Sequence, residues 1–345
     1  MIVSLTKIII IEQLFDKFSL TPSQKAIEKA LSGKTCTLIN GVVGSGLNFR
    51  LVTAFNKLDR NLLLVMDNAE QAAYYFNDLE KLLNTSQVFY FPSSYREAYH
   101  SEATNNANVM QRSEILKKLS IKSKKKIIVT YPQALFEKVI SQQTLKKKTL
   151  TIKLGENIGL DLINETLFEQ GFERVNFVTQ PGEFSVRGGI IDVFSFSNQH
   201  PYRIEFFDDE IESLRSFDVN TQLSISPLSQ LDLMPNTSKI SFNEKRKSII
   251  ESLSDECSLV INQLDLCFDR LGDLFKKAQK QFKALETTVQ YPPERLFLSQ
   301  DVLIEELSNK SLLLINSSEK INHQQKISFK QSPQPSINKQ FDRLI

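Results

Sequence analysis

The sequence has 345 residues, 41% of them hydrophobic, with 42 basic against 40 acidic side chains. That is chain enough for two or three domains with a sizeable core, and too balanced in charge for a global field aimed at nucleic acid. No apolar run approaches the ~20 residues of a membrane span, and Ile8–Ile11 is too short for a signal. The three cysteines (Cys36, Cys257, Cys267) and three distant histidines argue against a disulfide scaffold or zinc site and favour a cytoplasmic location.

Thr21-Pro22-Ser23 reads as a cap opening a helix over Gln24–Leu31. From Thr35 to Ile140, short β-branched or leucine-rich runs alternate with amphipathic stretches. The strand candidates are Thr35–Ile39, Asn61–Met66, Val88–Phe91 and Lys126–Thr130. Helices are expected over Asn48–Lys57, Asn68–Leu83, Ala107–Leu119 and Pro132–Ile140. This alternation predicts an α/β domain with a parallel sheet between helices. The lysine runs Lys122–Lys126 and Lys146–Lys148 read mainly as solvated turn surface.

Near Leu150 the pattern changes. A helix over Asp161–Gln170 stops at Gly171. The runs Phe172–Thr179, Glu183–Arg187, Ile190–Phe196, Tyr202–Phe207 and Ile211–Phe217 then predict a meandering antiparallel sheet, a small α+β module inserted into the first domain. From about Lys245 the chain is helical again, with a long amphipathic helix over Gln263–Leu285 and a short one over Asp301–Leu307. Strand-like Glu294–Leu298 and Ser311–Ile315 are placed to complete the first sheet, which makes that domain discontinuous. Gln331–Pro335 is linker-like and Asn338–Ile345 ends without a stop signal, as in a chain cut just after a linker begins. The expected division is 1–145, first part of the α/β domain; 146–240, insert; 241–325, return segment; 326–345, linker and start of a following domain.

Glycine is scarce, at 11, and six glycines fall in two clusters. The first, Gly41-Val42-Val43-Gly44-Ser45-Gly46-Leu47-Asn48, lies between a predicted strand and a predicted helix, as a phosphate-binding loop does. Leu47 stands where that motif needs lysine, and Asn48 where it needs Ser or Thr. The charge that reaches the β- and γ-phosphates and the hydroxyl that holds Mg²⁺ are both missing. The loop reads as degenerate RecA-like/P-loop backbone without catalytic equipment, the alternative being weak binding of a phosphate or sulfate by the bare loop. Asp67, after Leu62–Met66, is the one candidate for a second acid and is equally explained as a helix cap.

The second cluster lies in Gln180-Pro181-Gly182-Glu183-Phe184-Ser185-Val186-Arg187-Gly188-Gly189-Ile190-Ile191-Asp192-Val193-Phe194 and continues through Tyr202–Phe217. Pro181-Gly182 predicts a turn and Gly188-Gly189 a kink or bulge. Arg187, Arg203 and Arg215 should share one sheet face. This stretch resembles the inserted domain shared by the excision-repair protein UvrB and the bacterial transcription-repair coupling factor (Mfd) family. The degenerate loop resembles UvrB's loop with its lysine lost, and Pro292–Leu298 resembles the coupling factors' return to the first domain. The likeness covers most of Thr35–Ile315.

The resemblance implies a UvrA-docking surface made of exposed arginines and neighbouring hydrophobics. By position Arg187 matches the family's arginine before glycine; Arg174, Phe184 and Arg203 are further members of the expected set. Ser185 departs from UvrB, which has arginine there. UvrB's damage-engaging aromatic hairpin has only Pro92–Ser101 at its place, too short for a wedge. The resemblance further implies that this chain is no ATPase and carries no cofactor. RNA polymerase and DNA would be engaged by later domains, where an ATP- and Mg-dependent translocase lies, and the docking surface could be masked by the C-terminal part. The competing readings are a UvrB-like or helicase-like ATPase with an aberrant nucleotide site, and a purely structural domain.

Overall fold

The computed structural model describes residues 12–83, 87–95, 97–99, 104–119, 125–238, 244–254, 256–285 and 291–332. Ile8–Ile11, His100, Lys122–Lys124, Pro333–Pro335 and Asn338–Ile345, used in the sequence argument, lie outside them.

The larger unit is a seven-stranded, wholly parallel sheet. Its spatial order is Gln325–Ser328, Cys36–Asn40, Ser311–Ile315, Ser258–Asn262, Leu62–Val65, Ile127–Thr130, Val88–Tyr90. The inner strands are near-continuous aliphatic runs because helices cover both faces; Leu62 to Val65, for example, are all buried. Thr21 caps the helix Pro22–Ser32 by accepting from Gln24 N, as the Thr-Pro-Ser signal predicts. The further helices Gly46–Lys57, Ala69–Leu83, Asn106–Leu119, Leu264–Ala284 and Gln300–Leu307 agree with the sequence reading to within two residues at either end.

Several expectations are corrected. Ser258–Asn262 is a central strand that the sequence reading left out: a five-residue apolar run carries no period that separates strand from helix. The helix expected over Pro132–Ile140 stops at Phe136. There Glu137 turns its carboxylate to Ser94 N (2.9 Å) and to buried Arg112, and Lys138 N donates to Leu296 O, so the ladder cannot continue. Val139–Ile140 instead pairs with Arg246–Lys247. Glu294–Leu298 is no strand: Pro293 opens a short helix, Pro293–Leu296. The linker expected from residue 326 is met by the edge strand Gln325–Ser328, in register with Thr37–Asn40. Lys125 is not solvated surface either. Its Nζ donates to Asn56 O and Leu58 O at the end of the helix Gly46–Lys57, while neighbouring Lys126 is buried.

The second unit is a six-stranded sheet ordered Ser224–Pro227, Glu210–Phe217, Tyr202–Phe207, Ile190–Val193, Glu183–Arg187, Glu173–Arg174. All its pairs are antiparallel except the last. The helix Leu160–Glu169 packs on it through Ile163 and Leu167. Leu150–Lys153 pairs with Gln230–Leu233 where the chain enters and leaves this unit. The helix Asn106–Leu119 joins the cores, with Val109 in the smaller and Ile115 and Leu116 in the larger. Three cysteines are free, and burial pushes the Cys257 and Cys267 thiols up to about 12. No described helix is long and apolar enough to cross a membrane.

Candidate functional site: the exposed face of the inserted sheet

Strand alternation sorts the insert's side chains to two faces. Phe184, Ile191, Val193, Ile204 and Leu214 point into the core. Ser185, Arg187, Asp192, Arg203, Glu205 and Arg215 occupy the other face, with Asp192 opposite both Ser185 and Arg203 in register. The face is held by Asp192, whose side chain is only 2% exposed. Its Oδ1 accepts from Arg203 Nε at 2.6 Å and its Oδ2 from Arg203 Nη2 at 2.9 Å, while Arg187 Nη2 also donates to Oδ2. The bidentate geometry fixes Arg203, and its hydrogen bonds to Asp192 push the guanidinium's pKa further up. Arg203 also lies over the Phe217 ring at 4.7 Å, and Arg215 pairs with Glu205 at 2.7 Å.

Arg187 takes only one bond from Asp192 and keeps its side chain 42% exposed. Its guanidinium stands 5.1 Å from the centroid of the Phe177 ring, which is 61% exposed. Arg174 is exposed on the edge strand. The expected set is therefore brought together only in part. Arg187 and Arg174 face solvent; Arg203 is mostly engaged by Asp192. Phe184 is corrected outright: it is fully buried, edge-on to Phe168 at 5.1 Å, and belongs to the core. Ser185 is buried beside Asp192, so its departure from arginine alters the interior edge of this face.

Phe177 was missed because the run Phe172–Thr179 reads as one strand. Only Glu173–Arg174 is strand; the chain then bends, burying Val178 and leaving Phe177 outside. The available signal was the adjacency of two large apolar residues, which a single strand cannot bury on one face. Asp192 carried a signal too, a lone acid in an apolar run between two arginine-bearing strands.

The bend is fixed by Glu183. Its carboxylate accepts from Thr179 N (2.7 Å), Thr179 Oγ1 (2.9 Å), Gln180 N (3.0 Å) and Gln180 Nε2 (3.0 Å). Burial alone would raise this carboxyl's pKa, but those hydrogen bonds outweigh it and hold it below the usual range. A lowered native pKa means the unfolded chain takes the proton first. The stabilisation is present above the unfolded value of ~4.3 and is lost as pH falls through the native one. Acid titration of unfolding should therefore show a smaller loss in Glu183→Gln than in the wild type. Equal slopes below pH 4.5 would remove Glu183 from this role; Glu205, held low by Arg215, contributes to both curves alike.

Glycines shape the same region. Gly188-Gly189 forms a two-residue hairpin turn joining Arg187 to Ile190, with Gly188 at φ +58°, rather than a kink. The register of this sheet shifts instead at Glu205/Phe206 and at Ser216/Phe217.

At the first glycine cluster, Gly41 and Gly44 have left-handed φ of +77° and +60°. Leu47 and Asn48 are buried at the start of the helix Gly46–Lys57. Ser45 Oγ and Asn48 Nδ2 both donate to Asp78 Oδ2 at 3.1 Å. Asp67 does not cap a helix: its carboxylate accepts from Asn262 Nδ2 (2.7 Å) and Gln263 Nε2 (3.1 Å), and Asn68 caps the next helix through Gln71 N.

Residues 150–238 match the UvrB interaction domain family. Over 260 residues, 75% of this chain, the sequence is 28% identical to the transcription-repair-coupling factor of Bacillus subtilis (strain 168). It is 27% identical over 259 residues, 74% of the chain, to that of Staphylococcus aureus (strain bovine RF122 / ET3-1). Identity to that of Haemophilus influenzae (strain ATCC 51907 / DSM 11121 / KW20 / Rd) is 28% over 197 residues, 57% of the chain. These alignments cover 21%, 22% and 17% of the respective relatives, so the chain spans about a fifth of the length of the curated relatives it matches.

Proposed function

We propose that this chain, which resembles the UvrB-homology region of the transcription-repair-coupling factors, recruits UvrA in transcription-coupled nucleotide excision repair. The observation that carries the reading is the Phe177–Arg187 pair, an exposed ring on the bend after Glu173–Arg174 and a half-free guanidinium at the end of the strand Glu183–Arg187, inside the segment matching the UvrB interaction domain. An aromatic and an arginine on a preformed face are the residue types that dominate protein interfaces. Asp192 fixes one nitrogen of Arg187 and leaves the rest of the guanidinium for an acidic or carbonyl partner.

The same reading gives the chain no ATP hydrolysis of its own, since Leu47 and Asn48 stand where the motif needs lysine and a hydroxyl, and Asn48 is tied to Asp78. Nucleotide-driven translocation and contacts with RNA polymerase and DNA are assigned to the rest of a full-length coupling factor. Capture of purified UvrA by the intact chain tests the reading. Arg187→Ala and Phe177→Ala should each weaken binding about thirty-fold, the effect of a ~2 kcal/mol interface anchor. Wild-type affinity in both variants would move the site elsewhere, and failure of the parent chain to bind would remove the docking role. ATP turnover by the purified chain would restore the ATPase alternative.

A further inference from the structure

We propose that the first glycine loop is a binding site for this chain's own residues 329–331, an internal clasp in which Gln331 stands where a phosphate oxygen would. The proposal is independent of the docking face, which lies in the other unit.

Three contacts make the clasp. The edge strand Gln325–Ser328 delivers the chain to the loop, and Phe329 N donates to Asn40 O at 2.8 Å. The Phe329 carbonyl lies against Gly41 in the space a Cβ would need, so the bare, left-handed Gly41 is what lets the segment in. The side-chain oxygen of Gln331 then accepts from Val43 N at 3.1 Å and sits 3.0 Å from where a Gly46 Cβ would be. An amide of the loop's interior, the kind of group that cradles phosphate, is thus occupied by a neutral oxygen of the chain itself.

The flanking side chains complete it. Arg50, from the helix that the loop opens, stacks its guanidinium on the Phe329 ring at 4.1 Å and on Phe18 at 5.0 Å. The donors beside the loop, Ser45 and Asn48, are spent on Asp78. Glycines retained after loss of the catalytic lysine now serve to admit a peptide, and the loop sets the point at which the chain passes residue 331.

Hydrogen exchange on the whole chain, read at the Val43 amide and over 325–329, tests the clasp alongside calorimetric titration with Mg-ATP. Gln331→Leu should speed exchange at Val43 about five-fold, the worth of one amide hydrogen bond. Gln331→Glu, which keeps an acceptor oxygen, should retain wild-type protection, and the wild-type chain should give no heat with Mg-ATP. Unchanged Val43 exchange in Gln331→Leu overturns the proposal. So does Mg-ATP binding by the wild-type chain that protects Val43 while 325–329 stay protected, since nucleotide and peptide would then not compete.

Discussion

Alanine at Asp192 is expected to destabilise the inserted domain by about 3 kcal/mol and to disorder both arginines of the candidate docking face. The carboxylate is buried and is the shared acceptor of Arg203 and Arg187. Removing it leaves Arg203, with a side chain 17% exposed, the Gln222 oxygen at 3.4 Å, the Phe217 ring and the charge of Glu205. The expected cost sits at the low end of that for breaking a buried pair, because both guanidinia can partly rehydrate. Asp192→Asn keeps the shape and one acceptor but loses the charge, and should fall between the wild type and alanine. Denaturant unfolding of the three proteins checks the order. UvrA capture by the Asn variant then separates loss of the surface from loss of the fold. A stability change below 1 kcal/mol in Asp192→Ala would show that the arginines do not depend on this acid.

The second large effect is at Gly182, where alanine should cost about 3–5 kcal/mol by adding overpacking to left-handed strain. Gly182 has φ +89°, and a Cβ there would collide with the Phe196 ring, whose Cε1 lies 2.8 Å away. That ring cannot swing aside: it is buried and packed against Phe172 at 5.1 Å. Gly182 N also donates to Phe194 O and its carbonyl accepts from Glu173 N, so the backbone is held from both sides. At Gly188 a Cβ meets open space, and alanine there carries the φ strain alone. Thermal unfolding of Gly182→Ala and Gly188→Ala side by side separates collision from conformation; equal shifts would mean that Phe196 yields.

The alternation of aliphatic runs and amphipathic segments was enough to place a parallel sheet between helices, because burial on both faces forces that pattern locally. The insert was legible for the same kind of reason. Glu183–Arg187 and Tyr202–Phe207 are strands at the bounds that alternation gives, and Gly171 stops its helix at φ +87°. The likeness to the coupling factors rested on this stretch too, where turn glycines and alternating arginines are local features. That Leu47 and Asn48 occupy the motif's lysine and Ser/Thr positions in the first loop is likewise a property of the sequence itself.

Pairing between distant segments was not legible. Ser258–Asn262 becomes a central strand because two neighbours supply its hydrogen bonds, and Gln325–Ser328 is strand because Thr37–Asn40 offers a free edge. Alternation placed the three arginines on one face, but which guanidinium stays free depends on where Asp192 points, a cross-strand matter five and eleven residues away. Phe184 and Phe177 exchanged roles for the same reason: burial is decided by what packs above a residue, here Phe168, and by a bend that the Glu183 carboxylate imposes. The sequence alone determined the two units and the residues, Leu47 and Asn48, that stand in the first glycine cluster where the motif has lysine and a hydroxyl. The tertiary structure alone decided what now fills that loop, Gln331 from 288 residues beyond Val43, and which side chains of the second cluster meet solvent. Composition and period act through neighbours along the chain, whereas occupancy and exposure are set by groups that only folding brings together.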